Sequence, residues 1–386
     1  MIPYGRQDIT EDDIQAVEQV LRSDWLTQGP MVPRFEQAVA DYCGAAHGVA
    51  VNSATSALHI ACLALDVGPD DWVWTSPNTF VASANCARYC GAHVDFVDID
   101  PHTWNMSVAR LREKLEQARA AQRLPKVVIP VHFAGQPCDM PAIHQLAQEF
   151  GFRIIEDASH AVGASQEGVK VGACAYSDIS VFSFHPVKII TTAEGGMALT
   201  NHPQLAERME RLRSHGITRD PEQMQGEPIG PWYYEQLELG SNYRMTDLQA
   251  ALGLSQLNRL DAFVSRRNAL AEHYEELLSD LPIRRPRVTA GNRSAWHLYP
   301  IRLNLEAISC SHRQIFESLR EAGIGVNLHY MPVHLQPYYR NLGFQPGQYP
   351  EAEAHGREAI SLPMYPGLSD EQQTEVITHL TKVISG

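Results

Sequence analysis

The sequence contains no unbroken apolar run near the roughly 18–20 residues that a membrane span needs. Its first residues, MIPYGRQDITEDD, carry neither the basic nor the apolar stretch of a secretory leader, so none is expected. The phosphate-loop pattern GxxxxGK(S/T), the zinc-protease pattern HExxH and the hydrolase pattern GxSxG are all missing. Gly323-Ile324-Gly325 is the only GxG; it has no third glycine and follows a helical pattern, so a dinucleotide site finds no support. Basic residues are outnumbered, with 31 Lys and Arg against 45 Asp and Glu, for a net charge of −14. That balance argues against nucleic acid or an anionic membrane as partner. Cysteine is sparse and odd in number, seven in all. Such usage fits a reducing, cytoplasmic setting better than a disulfide framework. Cys86 and Cys90 stand four apart on a predicted helix and read as two buried thiols, since no His or Cys cluster at zinc spacing accompanies them. Asp98 and Asp100 read as turn carboxylates, and no metal is expected. There is no internal repeat and no low-complexity segment.

What is present is a long alternation of short apolar runs with helical patterns. Runs at 48–52, 72–76, 93–98, 126–132, 153–156, 178–184 and 197–200 read as strands. Helical patterns fill the gaps, for example at 107–122 and at 139–150, the latter stopped by Gly151. This pattern predicts an α/β fold with a mostly parallel sheet covered on both faces. Thr10 with Asp13 predicts a capped helix carrying Ile14, Val17 and Leu21. A helix is predicted over 205–215, a loop over 216–231, and one long helical run over 246–281. The remainder predicts a smaller α+β unit, with strands at 296–303 and 325–330, helices at 313–322 and 351–360, and a last helix capped by Ser369 and Gln372. The expected division is 1–255 for a large domain and 256–386 for a small one. A chain of 386 residues is long enough for both.

Two strand-end residues carry the chemistry. Asp157 closes the run at 153–156, and Lys188 follows the run at 178–184. In open α/β sheets, ligands sit beyond the carboxyl ends of the strands. An amine and an acid placed there suit pyridoxal phosphate, whose aldehyde needs a lysine and whose ring nitrogen needs an acid partner. Taken alone, the two residues fit an ordinary strand-end ion pair better. Ser53-Ala54-Thr55-Ser56 follows a strand and opens a helix, which makes either an anion site or a plain N-cap.

The stretches EDASHAVGA, SFHPVKIITTAEGG and SNYRMTDLQAALG resemble the sugar-nucleotide aminotransferases. These are pyridoxal phosphate enzymes of fold type I, in the aspartate-aminotransferase superfamily. The likeness runs from Tyr4 to the C-terminal helix. It implies that Lys188 holds the cofactor covalently and moves protons, and that Asp157 partners the ring nitrogen. Ala54, Thr55 and Ser183 are implied at the cofactor phosphate, although many relatives carry Gly at position 54. Phe80 is implied to stack on the ring, with His160 beside it where many relatives have Gln. The resemblance further implies a homodimer with shared sites, in which Asn242 reaches the neighbour's cofactor phosphate and the loop at 216–231 reaches an active site. Tyr4, Arg6, Thr27, Gln28, Arg219, Tyr243, His329 and Tyr330 are candidate substrate residues. His334 is a further polar candidate, and Arg219 and Arg244 are candidates for the donor's carboxylate. The implied reaction moves an amino group from L-glutamate to C4 of a UDP-linked 4-keto-6-deoxy-N-acetylhexosamine, as in pseudaminic acid biosynthesis. The motifs IPYGRQDI and GVNLHYMPVHLQPYY also resemble that branch. The alternatives are a TDP- or GDP-linked keto sugar, a dehydratase on the same fold, and a non-catalytic sugar-nucleotide sensor. The dehydratases carry His where this chain has Lys188.

Overall fold

The computed structural model describes residues 1–385. The apolar runs form one seven-stranded sheet from β1 (His47–Val51), β2 (Trp72–Thr75), β3 (His93–Phe96), β4 (Val127–Ile129), β5 (Arg153–Asp157), β6 (Ile179–Ser183) and β7 (Gly196–Thr200). The strand order is β1-β7-β6-β5-β4-β2-β3. Only β7 runs against its neighbours, pairing antiparallel with both β1 and β6. The central strands β4, β6 and β7 are buried throughout, so they read as continuous apolar runs rather than alternating ones. Successive side chains still point to opposite faces. Val181 joins the apolar core on one side of the sheet, and Phe182 joins the core on the other.

Helices α1 (Glu11–Leu21), α2 (Met31–Cys43), α3 (Ala54–Ala64), α4 (Ala82–Tyr89), α5 (Val108–Ala120), α6 (Met140–Phe150) and α7 (Pro203–Leu212) accompany the sheet. The Thr10 and Asp13 capping box starts α1, and α6 stops at Gly151 with φ 82°. After α8 (Asp247–Leu257) and α9 (Leu260–Leu277), the strands β8 (Ile283–Arg284), β9 (Tyr299–Leu303) and β10 (Ala359–Leu362) form an antiparallel sheet. The helices α10 (His312–Glu321) and α11 (Asp370–Ile384) cover it through a core that includes Tyr274, Tyr299, Leu319 and Leu380.

Several expectations change; the helix predicted over 351–360 ends at Glu358, and β10 takes the residues that follow. The helical run predicted over 246–281 is two helices, broken at Asn258 and Arg259. The Arg259 guanidinium there binds Asp13 at 2.6 Å and also reaches Asp8, tying the start of the chain to the junction. The strand predicted over 325–330 is absent. Gly325 donates to the Ile2 carbonyl at 2.6 Å, and Asn327 exchanges bonds with Ser361. Beyond these two points the backbone leaves the ladder, and its side chains turn toward the cavity described next.

Candidate active site

Between β6 and β7 the chain makes a tight loop, SFHPVKIITTAEGG, stitched by its own polar groups. Phe184 N–H donates to the Gly195 carbonyl at 2.9 Å, and Thr192 N–H donates to the Phe184 carbonyl at 3.0 Å. The Thr191 hydroxyl also donates to that carbonyl at 3.0 Å, and the Thr192 hydroxyl to Glu194 at 2.8 Å. Short hydroxyl side chains are suited to such local backbone bonds. The loop therefore holds Lys188 in place from both sides, and Lys188 N–H itself donates to His185 at 2.9 Å.

Lys188 faces a cavity of about 550 Å³ beyond the carboxyl ends of β5 and β6. The α3 N-terminus opens on the same cavity. Ser53 caps α3, its hydroxyl accepting from Ser56 N–H at 3.1 Å. Ala54 and Thr55 occupy the first helical positions, where N–H groups have no partner within a helix. Gly196 sits between this turn and Ser183, its register partner on β6. A Cβ on Gly196 would come within 2.5 Å of Ala54 N and 2.6 Å of the Ser53 carbonyl oxygen. Only glycine lets β7 lie this close to the helix start. The resulting concavity of backbone N–H groups and the Ser183 hydroxyl is the donor set that a phosphate takes.

Asp157 closes β5 and lines the cavity. Its Oδ1 accepts from Ser159 N–H at 3.2 Å, and its Oδ2 accepts from the Ser83 hydroxyl at 2.5 Å. Burial pushes the Lys188 amine down to about 8, and the negative charge of Asp157 partly offsets that fall. The opposite wall is imidazole and phenol. His160 Nδ1 accepts from Ala134 N–H at 3.3 Å, so the ring proton sits on Nε2 and points to the Tyr330 hydroxyl at 3.1 Å. Burial holds His160 and His297 neutral, reinforced by the nearby Lys188 charge. His329 is pushed down to about 3, mainly by burial. Phe80 stays 58% exposed and presents its ring to the cavity.

Ten of the residues singled out in the sequence thus line one cavity: Tyr4, Ala54, Thr55, Phe80 and Asp157, together with His160, Ser183, Lys188, His329 and Tyr330. The others lie elsewhere within the single chain. Thr27 pairs with Thr246, Gln28 takes φ 56° beside it, and Arg6 lies near the Tyr365 phenol. Asn242 pairs with Ser214, and the Tyr243 hydroxyl meets His59 Nδ1 at 3.0 Å. Arg219 lines a separate depression with Glu207 and Glu210, and Arg244 donates to the Ser214 hydroxyl at 2.9 Å. His334 is fully buried against Glu353 at 3.0 Å and is structural. A larger, more open depression of about 900 Å³ along the edge strand β3 contains none of these residues.

His297 is not among the residues that the sequence singles out, because SAWHLYP reads there as the start of a strand. The strand starts only at Tyr299. Trp296 takes φ 46° against Gly135, whose bare Cα admits Trp296 N and His297 N, and this turns His297 to the cavity. Its ring lies 4.5 Å from that of His160, and its Nδ1 is buried without a protein partner. A polar residue inside an otherwise apolar run was the available signal. Among the described residues no group of three or more His, Cys, Asp and Glu is arranged to hold a metal ion.

Comparison with known proteins accords with this geometry. The pattern of the DegT/DnrJ/EryC1/StrS aminotransferase family matches residues 7–381. The spore coat polysaccharide biosynthesis protein SpsC of Bacillus subtilis is 38% identical over 388 residues, covering 100% of this chain and 97% of that protein. The protein Spr1654 of Streptococcus pneumoniae, solved in a PLP form, superposes with a TM-score of 0.88 at 32% identity, covering 100% of this chain and 98% of that one. Helicobacter pylori PseC, an aminotransferase involved in the biosynthesis of pseudoaminic acid, superposes with a TM-score of 0.89 at 31% identity, covering 100% and 99%.

Proposed function

The chain belongs to the DegT/DnrJ/EryC1/StrS aminotransferase family, and from that premise we propose that it is a pyridoxal phosphate-dependent sugar-nucleotide aminotransferase with Lys188 as its covalent and proton-moving residue. One observation carries the reading. A half-buried lysine, a buried carboxylate, an aromatic ring and an N–H-rich helix start all line one cavity at the strand ends.

The residues present fit the cofactor. Ala54 and Thr55 N–H groups with the Ser183 hydroxyl would hold its phosphate, Asp157 its ring nitrogen, and Phe80 one face of its ring. When bound, the cofactor supplies an electron sink for the carbon that loses a proton. The rest falls to this chain. Burial raises the share of Lys188 present as free amine near neutral pH far above that of a surface lysine, so it can serve as nucleophile and as general base. Asp157 would present its carboxylate to a protonated ring nitrogen. His160, His297 and His329 are held neutral, so they shape and hydrogen-bond without competing for the proton that Lys188 moves. Loss of Lys188 would favour the sensor or dehydratase readings; its presence beside Asp157 favours transamination.

The substrate reading is finer. L-Glutamate is the proposed donor. The proposed acceptor is a UDP-linked 4-keto-6-deoxy-N-acetylhexosamine aminated at C4, on the path to pseudaminic acid. The likeness to PseC supports it, and Tyr4, His329 and Tyr330 offer polar groups at the cavity wall. A polysaccharide relative such as SpsC keeps the second reading, a TDP- or GDP-linked keto sugar, in view. Purified protein should be assayed with L-glutamate against UDP-, TDP- and GDP-linked keto sugars, with amine formation read by mass spectrometry. Turnover of TDP or GDP substrates alone would overturn the UDP assignment and leave the aminotransferase assignment standing.

The proposed assembly is a homodimer in the cytoplasm. Seven free thiols suit a reducing compartment. Asn242 and Arg219 lie outside their own chain's cavity, and Trp25, Leu26, Trp232 and Leu239 expose apolar surface. A two-fold partner would cover that surface and bring its own Asn242 to the neighbouring site. The proposed domain division remains 1–255 and 256–386.

A further inference from the structure

Thr79 lies in the turn that leads into α4 and Ser83 in the first turn of that helix, and the turn folds their hydroxyls together. Neither takes part in the chemistry described above. Ser83 is 0% exposed, Thr79 2% and Asp157 5%; Thr79 and Asp157 edge the cavity, and Ser83 lies behind them, closed to water. The Ser83 hydroxyl lies 2.5 Å from Asp157 Oδ2 and 2.7 Å from the Thr79 hydroxyl.

The direction of these bonds follows from chemistry. A carboxylate only accepts, so Ser83 donates to Asp157. A serine hydroxyl has a single proton, so in the second contact the Thr79 hydroxyl must donate to Ser83. The longer contact from Ser83 to the Phe80 carbonyl, 3.4 Å, is the weaker competitor for that proton. Ser159 N–H takes the other oxygen at 3.2 Å. The acid is therefore gripped on both oxygens by this chain's own groups, one of them Ser83 behind the cavity wall, and its rotamer is set before any ligand arrives. The same turn carries Phe80, so one short segment places both the acid and the aromatic ring.

We propose that Thr79 and Ser83 are positioning residues, a one-way hydroxyl relay that fixes Asp157 for the ring nitrogen of the cofactor. The proposal rests on the cofactor reading given above and adds to it two residues that act through Asp157. A hydrogen bond to a buried charge is worth more than one at the surface, because the alternative leaves the carboxylate under-satisfied.

The test measures binding of pyridoxamine 5′-phosphate to the cofactor-free protein by fluorescence or calorimetry; this ligand needs no bond to Lys188. Ser83→Ala should weaken binding by about tenfold or more. Thr79→Val, which keeps the shape and removes the proton, should weaken it less, and Thr79→Ser should restore wild-type affinity. In an Asp157→Ala background, Ser83→Ala should have no further effect, as expected for residues that act through one another. Melting temperatures of the cofactor-free variants report packing separately. Wild-type affinity in Ser83→Ala, or an undiminished effect in the Asp157→Ala background, overturns the relay and leaves the cofactor reading intact. Failure of the wild-type protein itself to bind pyridoxamine 5′-phosphate overturns both.

Discussion

At the scale of single residues, the pH behaviour of Lys188 is the sharpest expectation. Its amine is pushed from the ordinary 10.5 down to about 8 because burial penalises the ammonium. The reactive free amine therefore grows as pH rises and levels off above about 8, whereas a surface lysine would keep gaining reactivity to about 10. In cofactor-free protein, labelling by pyridoxal phosphate with borohydride should show that midpoint and should map to Lys188. Lys188→Ala should abolish the label, with Lys114, Lys126, Lys170 and Lys382 remaining largely unlabelled. A label centred on one of those four, or a midpoint near 10, would remove Lys188 from its role. Asp157 and Lys188 were visible in the sequence as strand-end residues, and the family likeness assigned their roles. His297 was not visible, because only the backbone turn at Trp296, packed on Gly135, brings its ring to His160.

At the scale of elements, the site depends on how closely β7 approaches the start of α3. Gly196 makes that approach possible, since a Cβ there would collide with Ser53 and Ala54 backbone atoms that have no freedom to swing away. Gly196→Ala should push the two elements apart by at least about half an ångström. Overpacking of this kind costs about 1–3 kcal/mol in stability. The larger effect should fall on phosphate recognition: affinity for pyridoxamine 5′-phosphate should drop by about tenfold or more, since several N–H donors shift together. A variant that melts lower but binds normally would show that the cradle does not need this approach. The glycine pair in TTAEGG was legible as a turn before a strand. Its second purpose was not, because the Ser53 turn it touches lies more than a hundred residues away in the chain. The same limit explains the misread strand at 325–330, whose partners are Ile2 at one end of the chain and Ser361 near the other.

At the scale of the whole molecule, the proposed dimer has a direct test. Asn242 and Lys188 would belong to the same composite site from opposite chains. Mixing an Asn242→Ala variant with a Lys188→Ala variant, under conditions that allow exchange, should restore activity in hybrids. Such hybrids carry one site with both residues intact and one with neither. Recovery toward about a quarter of wild-type activity is the statistical expectation for random exchange in a two-fold dimer. No recovery, despite exchange proven by native mass spectrometry, would place Asn242 and Lys188 in the same chain's site or remove Asn242 from it.

The sequence by itself determined the class of fold, because buried strands and amphipathic helices leave local periodicities that require no knowledge of partners. It determined the helix caps at Thr10 and Ser369 for the same reason. It also placed Asp157 and Lys188 at strand ends and, through its motifs, tied them to a family. Only the tertiary structure decided which polar residues share the cavity and which do not. His334, four residues beyond Tyr330, belongs to a buried pair with Glu353, whereas Tyr330 meets His160 across 170 residues of chain. Ser83 reaches Asp157 across 74. Such contacts are set by how strands and helices pack, and packing is a property of distant segments taken together.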